Sequence, residues 1–373
     1  MQPRLNVRRV DHSNGTDGAE RDEACILCKA KSFRFLVRGF DRIQSRADEF
    51  RYYRCEGCGL VAQLPIPTAV QIAGFYPEDY EPHAGARPLS RGKLINRLAI
   101  SYFYSVDSVA RPPLIRAVFR PFSGRIMRDL VEPHGQNRLL DIGCGAGELM
   151  AQHCELGWCV TGIELNSRAA ALGRSRGLDV HNGTVFDAPF DGREFDVILM
   201  SQVIEHLPDP VRALRRAARW LGAGGKIILT TPNASSLAFR YFGSRWFPLE
   251  APRHLFLFDP DTISLLAATA GLRSRYSKTR CEGWIIDFSI HYMQTQTAVL
   301  PTDLAARASM IEQSKRSRKR HQLGRKLIAP ILSIGACFGR GDLIRAELVA
   351  ATAMGDSNAR FEIEGKESRI LCK

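Results

Sequence analysis

The stretch Leu139-Leu-Asp-Ile-Gly-Cys-Gly-Ala-Gly-Glu148 decides how this chain is read. Apolar residues run into Asp141, glycines stand at 143, 145 and 147, and Leu149 and Met150 then open a helical pattern. That order predicts a buried strand breaking into a glycine-lined turn at a helix N-terminus. A turn without Cβ atoms lets a ligand approach the backbone closely, where the first N–H groups of the helix meet it. Taken alone, such a loop does not say which ligand it holds.

The neighbouring segments narrow the choice. Trp158-Cys-Val-Thr-Gly-Ile-Glu164 reads as a second buried strand ending in a carboxylate. Its position, about twenty residues on, is where α/β nucleotide folds place an acid on ribose hydroxyls. Phe195-Asp-Val-Ile-Leu-Met-Ser201 is a third strand and Gly224-Gly-Lys-Ile-Ile-Leu-Thr-Thr-Pro232 a fourth. Helical patterns separate them, which predicts a parallel sheet of βα units. A phosphate loop fits worse: GxxxxGK[ST] is absent, and the turn is GxGxG rather than GxGxxG.

LLDIGCGAGELM, GIE, FDVILMSQVIEHLPDP and GGKIILTTPN, in this order and spacing, resemble the class I S-adenosylmethionine-dependent methyltransferases over residues 137–275. The resemblance implies an α/β fold with a Rossmann-like core: a seven-stranded, mostly parallel sheet with a final antiparallel strand. It implies that Asp141, Gly143 and Gly145 line the methionine end of S-adenosylmethionine, with Cys144 contributing its backbone. Glu164 would bind the ribose hydroxyls, Val185 would contact adenine through its backbone, and Ser201 and Gln202 would sit beside the sulfonium. A carboxylate that takes a diol and apolar walls around a cationic sulfur make chemical sense of that set.

Two departures stand out. Many relatives read GDAxxLPF at the adenine loop, whereas this chain has Gly183-Thr-Val-Phe-Asp-Ala-Pro-Phe190, placing Thr184 where the Asp would be. Quinone-type O-methyltransferases resemble ExxEH after the third of these strands, a cluster able to hold a divalent ion. Here the residues are Gln202, Glu205 and His206, one carboxylate short, which argues against metal there; Glu205 and His206 can instead hold the turn.

Cys25-Ile-Leu-Cys28 and Cys55-Glu-Gly-Cys58 form two CxxC pairs with 26 residues between them. Two such knuckles suit a closed tetrahedral structural zinc; disulfides or unliganded thiols are the alternatives. A module of about 50 residues is too small to fold on apolar burial alone, so metal would hold it together. The other cysteines, including Cys154, Cys159, Cys281, Cys337 and Cys372, show no ligand spacing. CILC, RCEGCGLVAQLP and FYPEDYEPH ahead of the core are similar to bacterial methyltransferases with an N-terminal zinc-binding module, common among enzymes of sugar, polysaccharide and secondary-metabolite gene clusters. Sugar C-methyltransferases of that group carry Tyr-Asp-Glu-His where this chain has Ala251-Pro-Arg-His254, so the histidine alone is kept and the acceptor stays open.

The expected organisation is a polar tail (1–22), the zinc-binding module (23–85), a helical connector (86–133), the methyltransferase core (134–282), a helical insertion (283–340) and a final strand with tail (341–373). The loop Trp246–Asp259 is followed by a helix from about 260 to 271, and Leu343–Ala350 is expected to be the last, antiparallel strand. The chain has 373 residues, 45% of them hydrophobic, enough for a real core. It contains no run of 18 apolar residues, and its N-terminus lacks the apolar core of a signal peptide, which points to the cytoplasm. Part of the net charge of +13 lies in Lys315-Arg-Ser-Arg-Lys-Arg-His-Gln-Leu-Gly-Arg-Lys326. That segment can lie on an anionic membrane surface or cover the substrate cleft.

Methyl transfer from a sulfonium requires alignment of the acceptor, exclusion of water and, for a hydroxyl or acidic carbon, removal of a proton. His254 is the first candidate base and His206 the second; the alternative for either is a structural hydrogen bond. Arg253 would bind an anionic group of the acceptor or be solvated. Trp246, Phe247, Phe256 and Phe258 would wall the acceptor pocket or pack in the core. The expected acceptor is a small molecule, a sugar or a lipid-linked glycan. Two other readings remain. One is an RNA methyltransferase, against which SQVIEH stands where base-amine enzymes resemble NPPY or DPPY; the other is a non-catalytic scaffold, against which the intact glycines and Glu164 stand.

Overall fold

The computed structural model of the protein describes residues 23–44, 48–76, 130–131, 133–190, 195–294 and 334–351. The polar tail, nearly all of the connector and the basic segment 315–326 lie outside them.

The chain enters through three antiparallel strands: β1 (Phe33–Phe40), β2 (Glu49–Cys55) and β3 (Val61–Gln63). The knuckle Cys25–Cys28 precedes β1, and the second, Cys55–Cys58, closes the turn after β2. A short helix, α1 (Ala69–Gly74), follows with a capping box in which Thr68 and Gln71 bond each other's backbone N–H groups.

The main sheet is built next. β4 (Arg138–Ile142), β5 (Cys159–Glu164), β6 (Asp179–Asn182), β7 (Phe195–Ser201) and β8 (Leu221–Pro232) run parallel. Their crossovers carry α2 (Glu148–Glu155), α3 (Ser167–Ser175) and α4 (Pro210–Arg219). After β8 come α5 (Leu237–Phe242), β9 (Phe256–Leu257), α6 (Pro260–Thr269), β10 (Leu272–Arg280), α7 (Gly283–Gln294) and β11 (Leu343–Ala350). The seven-stranded order is β6-β5-β4-β7-β8-β11-β10, with β11 antiparallel to both neighbours. This is the mostly parallel sheet with a reversed final strand that the sequence predicted.

Side chains alternate between two cores because the sheet is covered on both faces, which explains the near-continuous apolar runs. Leu140, Ile142, Ile198, Met200, Ile227 and Leu229 pack in one cluster with residues of α4 and α6. Leu139, Val160, Val197, Leu199 and Ile228 pack on the other face with Met150 and Ala170. Helix starts are fixed locally: Asn166 accepts from Ala169 N, Asp209 from Arg212 N and Asp259 from Thr262 N, the last two followed by a proline at the first turn. α2 is the exception. It begins at Gly147 in the left-handed region (φ 84°) with no side-chain cap, leaving its first N–H groups to something else.

The cysteine-bearing strands do not stand apart from this body. β9, which belongs to the loop after β8, adds to β3 through Val61↔Leu257 and Ala62↔Phe256, giving the sheet order β1-β2-β3-β9. Cys25, Leu27, Phe33, Tyr53, Leu60 and Ala62 share one buried cluster with the core of the main sheet. Apolar burial thus supports the module alongside any metal. Among the described residues no helix is long and apolar enough to cross a membrane.

Candidate cofactor and acceptor site

β4 has β5 on one side and β7 on the other, so the chain leaves it in both directions across the sheet. In α/β sheets the crevice at such a switch point, at the carboxyl ends of the strands, is where ligands bind. The glycine turn occupies that place. Gly143, Gly145 and Gly147 all have positive φ (75°, 57° and 84°). A Cβ on Gly143 would stand 2.5 Å from Val203 Cγ2, so this glycine lets the turn after β7 pack against the turn after β4. A Cβ on Gly145 would meet no atom within 4 Å; it would project into open space.

Glu164, at the end of β5, faces this opening. Its Oε2 accepts from Gly145 N (2.8 Å) and its Oε1 from Asn166 N (2.7 Å), so two backbone donors hold the carboxylate across from the turn. Asp141 lies buried below, and burial, with the Glu164 charge adding to it, pushes its carboxyl up to about 7. Two acids in one crevice suit a cationic ligand. Cys144 turns its thiol inward, where a Cβ on Gly162 would lie 2.6 Å from the sulfur, and only its backbone lines the turn. These residues fit S-adenosylmethionine by charge and by the space left at Gly145.

In the loop 183–190, Val185 is buried in the core cluster. Asp187 Oδ1 accepts from Thr184 N (2.7 Å), and Thr184 Oγ1 accepts from Phe186 N (3.1 Å). Both side chains therefore stabilise the loop itself. Ser201 Oγ lies 3.0 Å from Thr230 Oγ1, and Gln202 takes a left-handed backbone (φ 56°) while donating its N–H to Thr230 O. Such a conformation is costly away from glycine and concentrates at functional turns.

Beyond that turn the structure assembles a second group. Glu205 and His206 lie in the single helical turn Ile204–His206, and His254 comes from the loop before β9. The two imidazoles meet edge to face, with ring centroids 4.5 Å apart. One ligand atom from each of Glu205, His206 and His254 lies within 4.8 Å of the others, so His254 supplies a third donor where the sequence suggested one was missing. His254 Nδ1 lies 2.7 Å from Pro248 O, which fixes the proton on that nitrogen and leaves Nε2 with its lone pair. His206 Nδ1 lies 2.8 Å from the Tyr76 hydroxyl and 3.1 Å from Arg253 O. Both contacts are met when Nδ1 carries the proton, again leaving Nε2 as the base. Burial, with His254 alongside, lowers His206 to about 3; burial also lowers His254. Glu205 is raised to about 8 by burial and accepts from Thr231 Oγ1 at 3.0 Å.

Tyr76 stands in the FYPEDYEPH segment, but nothing in that segment marks it as a partner of His206; only the fold brings the two together. Arg253 departs from both sequence readings. It is 1% exposed, and its Nη2 and Nη1 donate to Asp41 Oδ1 (2.7 Å) and Oδ2 (3.3 Å). It is neither solvated nor open to an anionic acceptor. Trp246, Phe256 and Phe258 are buried core residues, while Phe247 stacks on Phe288 with centroids 4.7 Å apart. An open cleft of about 590 Å³, lined by Arg54, Arg240 and Arg340 among others, includes none of the expected site residues.

At the cysteine knuckles, Cys25 Sγ and Cys58 Sγ are 3.6 Å apart, Cys28 Sγ and Cys55 Sγ 3.4 Å, and all four sulfurs lie within 4.8 Å of one another. A tetrahedral ion with metal–sulfur bonds of about 2.3 Å needs sulfurs about 3.8 Å apart. The set fits. Burial pushes the Cys25 thiol up to about 11, a cost that a bound dication would offset.

Comparison with known proteins shows the family. A family model described as a methyltransferase domain matches residues 112–276. A ubiquinone biosynthesis O-methyltransferase of Ruegeria pomeroyi is 30% identical over 209 residues, covering 52% of this chain and 77% of that protein. Those of Cereibacter sphaeroides and Xanthomonas oryzae are 32% and 37% identical over 147 and 109 residues, which are 36% and 27% of this chain. The chain spans only 60% and 46% of the length of these last two relatives. A methyltransferase structure from Archaeoglobus fulgidus matches at 17% identity and a TM-score of 0.38, covering 63% of this chain and 93% of that one. The chain belongs to the class I S-adenosylmethionine-dependent methyltransferases.

Proposed function

We propose that the protein transfers a methyl group from S-adenosylmethionine to a hydroxyl of a small-molecule acceptor. The observation that carries this reading is the pairing of Gly145 and Glu164 across the crevice at the ends of β4 and β5, with the His206–His254 pair beyond Ser201 and Gln202. The names of the relatives favour oxygen as the methylated atom. Sugar, glycan and other small-molecule acceptors all remain within the proposal.

When bound, S-adenosylmethionine supplies an activated methyl group on a cationic sulfur. In the proposed assignment Glu164 takes the ribose hydroxyls, and Asp141 with the turn 143–145 holds the amino-acid end. Val185 and the loop around it flank adenine, and Ser201 and Gln202 border the sulfur. His206 is the more exposed imidazole and His254, 3% exposed, lies behind it, so His206 takes the acceptor proton at Nε2. The proposal puts His206 ahead of His254, the sequence's first candidate, because His254 is the more buried ring. Burial lowers both imidazoles, so both rings are neutral at physiological pH and free to accept a proton, while the same burial weakens them as bases. Cys25, Cys28, Cys55 and Cys58 hold a structural zinc. Methyl transfer from labelled cofactor to a panel of phenols, sugar nucleotides and lipid-linked glycans tests the reading. Labelling of a hydroxyl supports it, and labelling of RNA alone would replace it.

A further inference from the structure

Arg253 joins three parts of the molecule. Its guanidinium is bonded to Asp41 in the loop after β1, and its Nη1 also lies 3.4 Å from Phe75 O, at the end of α1. Its carbonyl meets His206 Nδ1, and its chain neighbour is His254. Asp41 is fully buried and is itself anchored: Oδ1 also accepts from Ile43 N (3.1 Å) and Gln44 N (2.9 Å). Gln44 Nε2 donates to the same Phe75 carbonyl at 3.2 Å. Around this latch, Tyr52 donates its hydroxyl to His254 O (2.8 Å), Gln63 N to Leu255 O (2.8 Å) and Leu255 N to Glu205 O (2.8 Å). Residues of the cysteine-bearing strands and the loop after β1 thus hold His254 and the residues on either side of it. Glu250 Oε1 also lies 3.5 Å from Arg253 Nε, so Asp41 supplies the two-point contact of a buried guanidinium that a second carboxylate also touches. A buried ion pair of this kind is poor evidence for stability and better evidence for a specified geometry.

We propose that Asp41 is a positioning residue: through Arg253 it locks the segment 250–257 so that His206 and His254 keep their mutual geometry. This assignment rests on the methyltransferase reading of the site. It gives the cysteine-bearing strands a share in building the acceptor side, while the cofactor crevice is built by β4, β5 and β7.

The test uses the full chain with Asp41→Asn, and with Asp259→Ala as a variant that loses a helix cap on the far side of the same loop. Three quantities are measured: imidazole resonances of His206 and His254, amide exchange across 250–257, and S-adenosylmethionine affinity by calorimetry. Asp41→Asn is expected to shift both imidazole signals and to speed exchange of the Leu255 amide at least tenfold, with cofactor affinity changed less than about threefold. Asp259→Ala is expected to leave the imidazole signals in place. Unchanged imidazoles in Asp41→Asn, or equal shifts in both variants, would overturn the proposal. Loss of cofactor binding by the unaltered protein would instead sink the methyltransferase reading. Should Asp41→Asn not fold, Arg253→Lys decides on the same measurements: it keeps the charge but not the two-point contact, and is expected to give smaller shifts in the same direction.

Discussion

At the residue scale, the site turns on a few positions where the backbone or a charge is constrained. Gly145 separates binding from folding, since a Cβ there meets no protein atom. Gly145→Ala is expected to cost about 1 kcal/mol of stability for its left-handed backbone, yet to weaken cofactor binding at least tenfold; thermal unfolding and calorimetry measure the two separately. Asp141 makes a pH prediction. Its carboxyl rises from an ordinary 3.8 to about 7 on folding, so the folded protein keeps a proton that the unfolded chain sheds. Stability therefore falls as pH rises from about 3.8 through 7, and Asp141→Asn should flatten that decline. A cationic ligand favours the ionised acid, so S-adenosylmethionine binding near pH 7 should release protons, seen as heats that depend on buffer ionisation. Proton uptake would contradict this. Much of this level was legible. The glycines and Glu164 are marked by their spacing, and His206 and His254 by the resemblance of their segments to family motifs, but the Asp41–Arg253 pair is not marked, because its partners are distant in sequence and a lone arginine in a loop reads as solvated.

At the element scale, β4, β5, β7 and β8 were readable because burial on both faces leaves apolar runs, and α6 because Asp259 and Pro260 punctuate its start, whereas the short, mostly polar β6 (DVHN) was not. β10 was not. Its sequence LRSRYSKTR lies at the sheet edge with mostly polar side chains, so no apolar alternation announces it. β9 is two residues long and exists only through its pairing with β3. That pairing makes metal removal a test. Chelation of the zinc proposed at Cys25, Cys28, Cys55 and Cys58 should speed amide exchange in β2, β3 and 255–257 while protection in β4 and β5 persists. Uniform loss of protection across both sheets would show instead that the module and the core unfold as one.

At the scale of the whole molecule, one crevice between β4, β5 and β7 is asked to hold a cationic nucleoside, while a loop tied to the cysteine-bearing strands sets His254 against His206 of the turn after β7. The most direct measurement is calorimetric titration of the full chain with S-adenosylmethionine, before and after Glu164→Ala. The account predicts saturable binding by the unaltered protein and at least a tenfold loss in the variant, with the circular dichroism of the fold retained. No binding by the unaltered protein, or equal affinity in both, would contradict it.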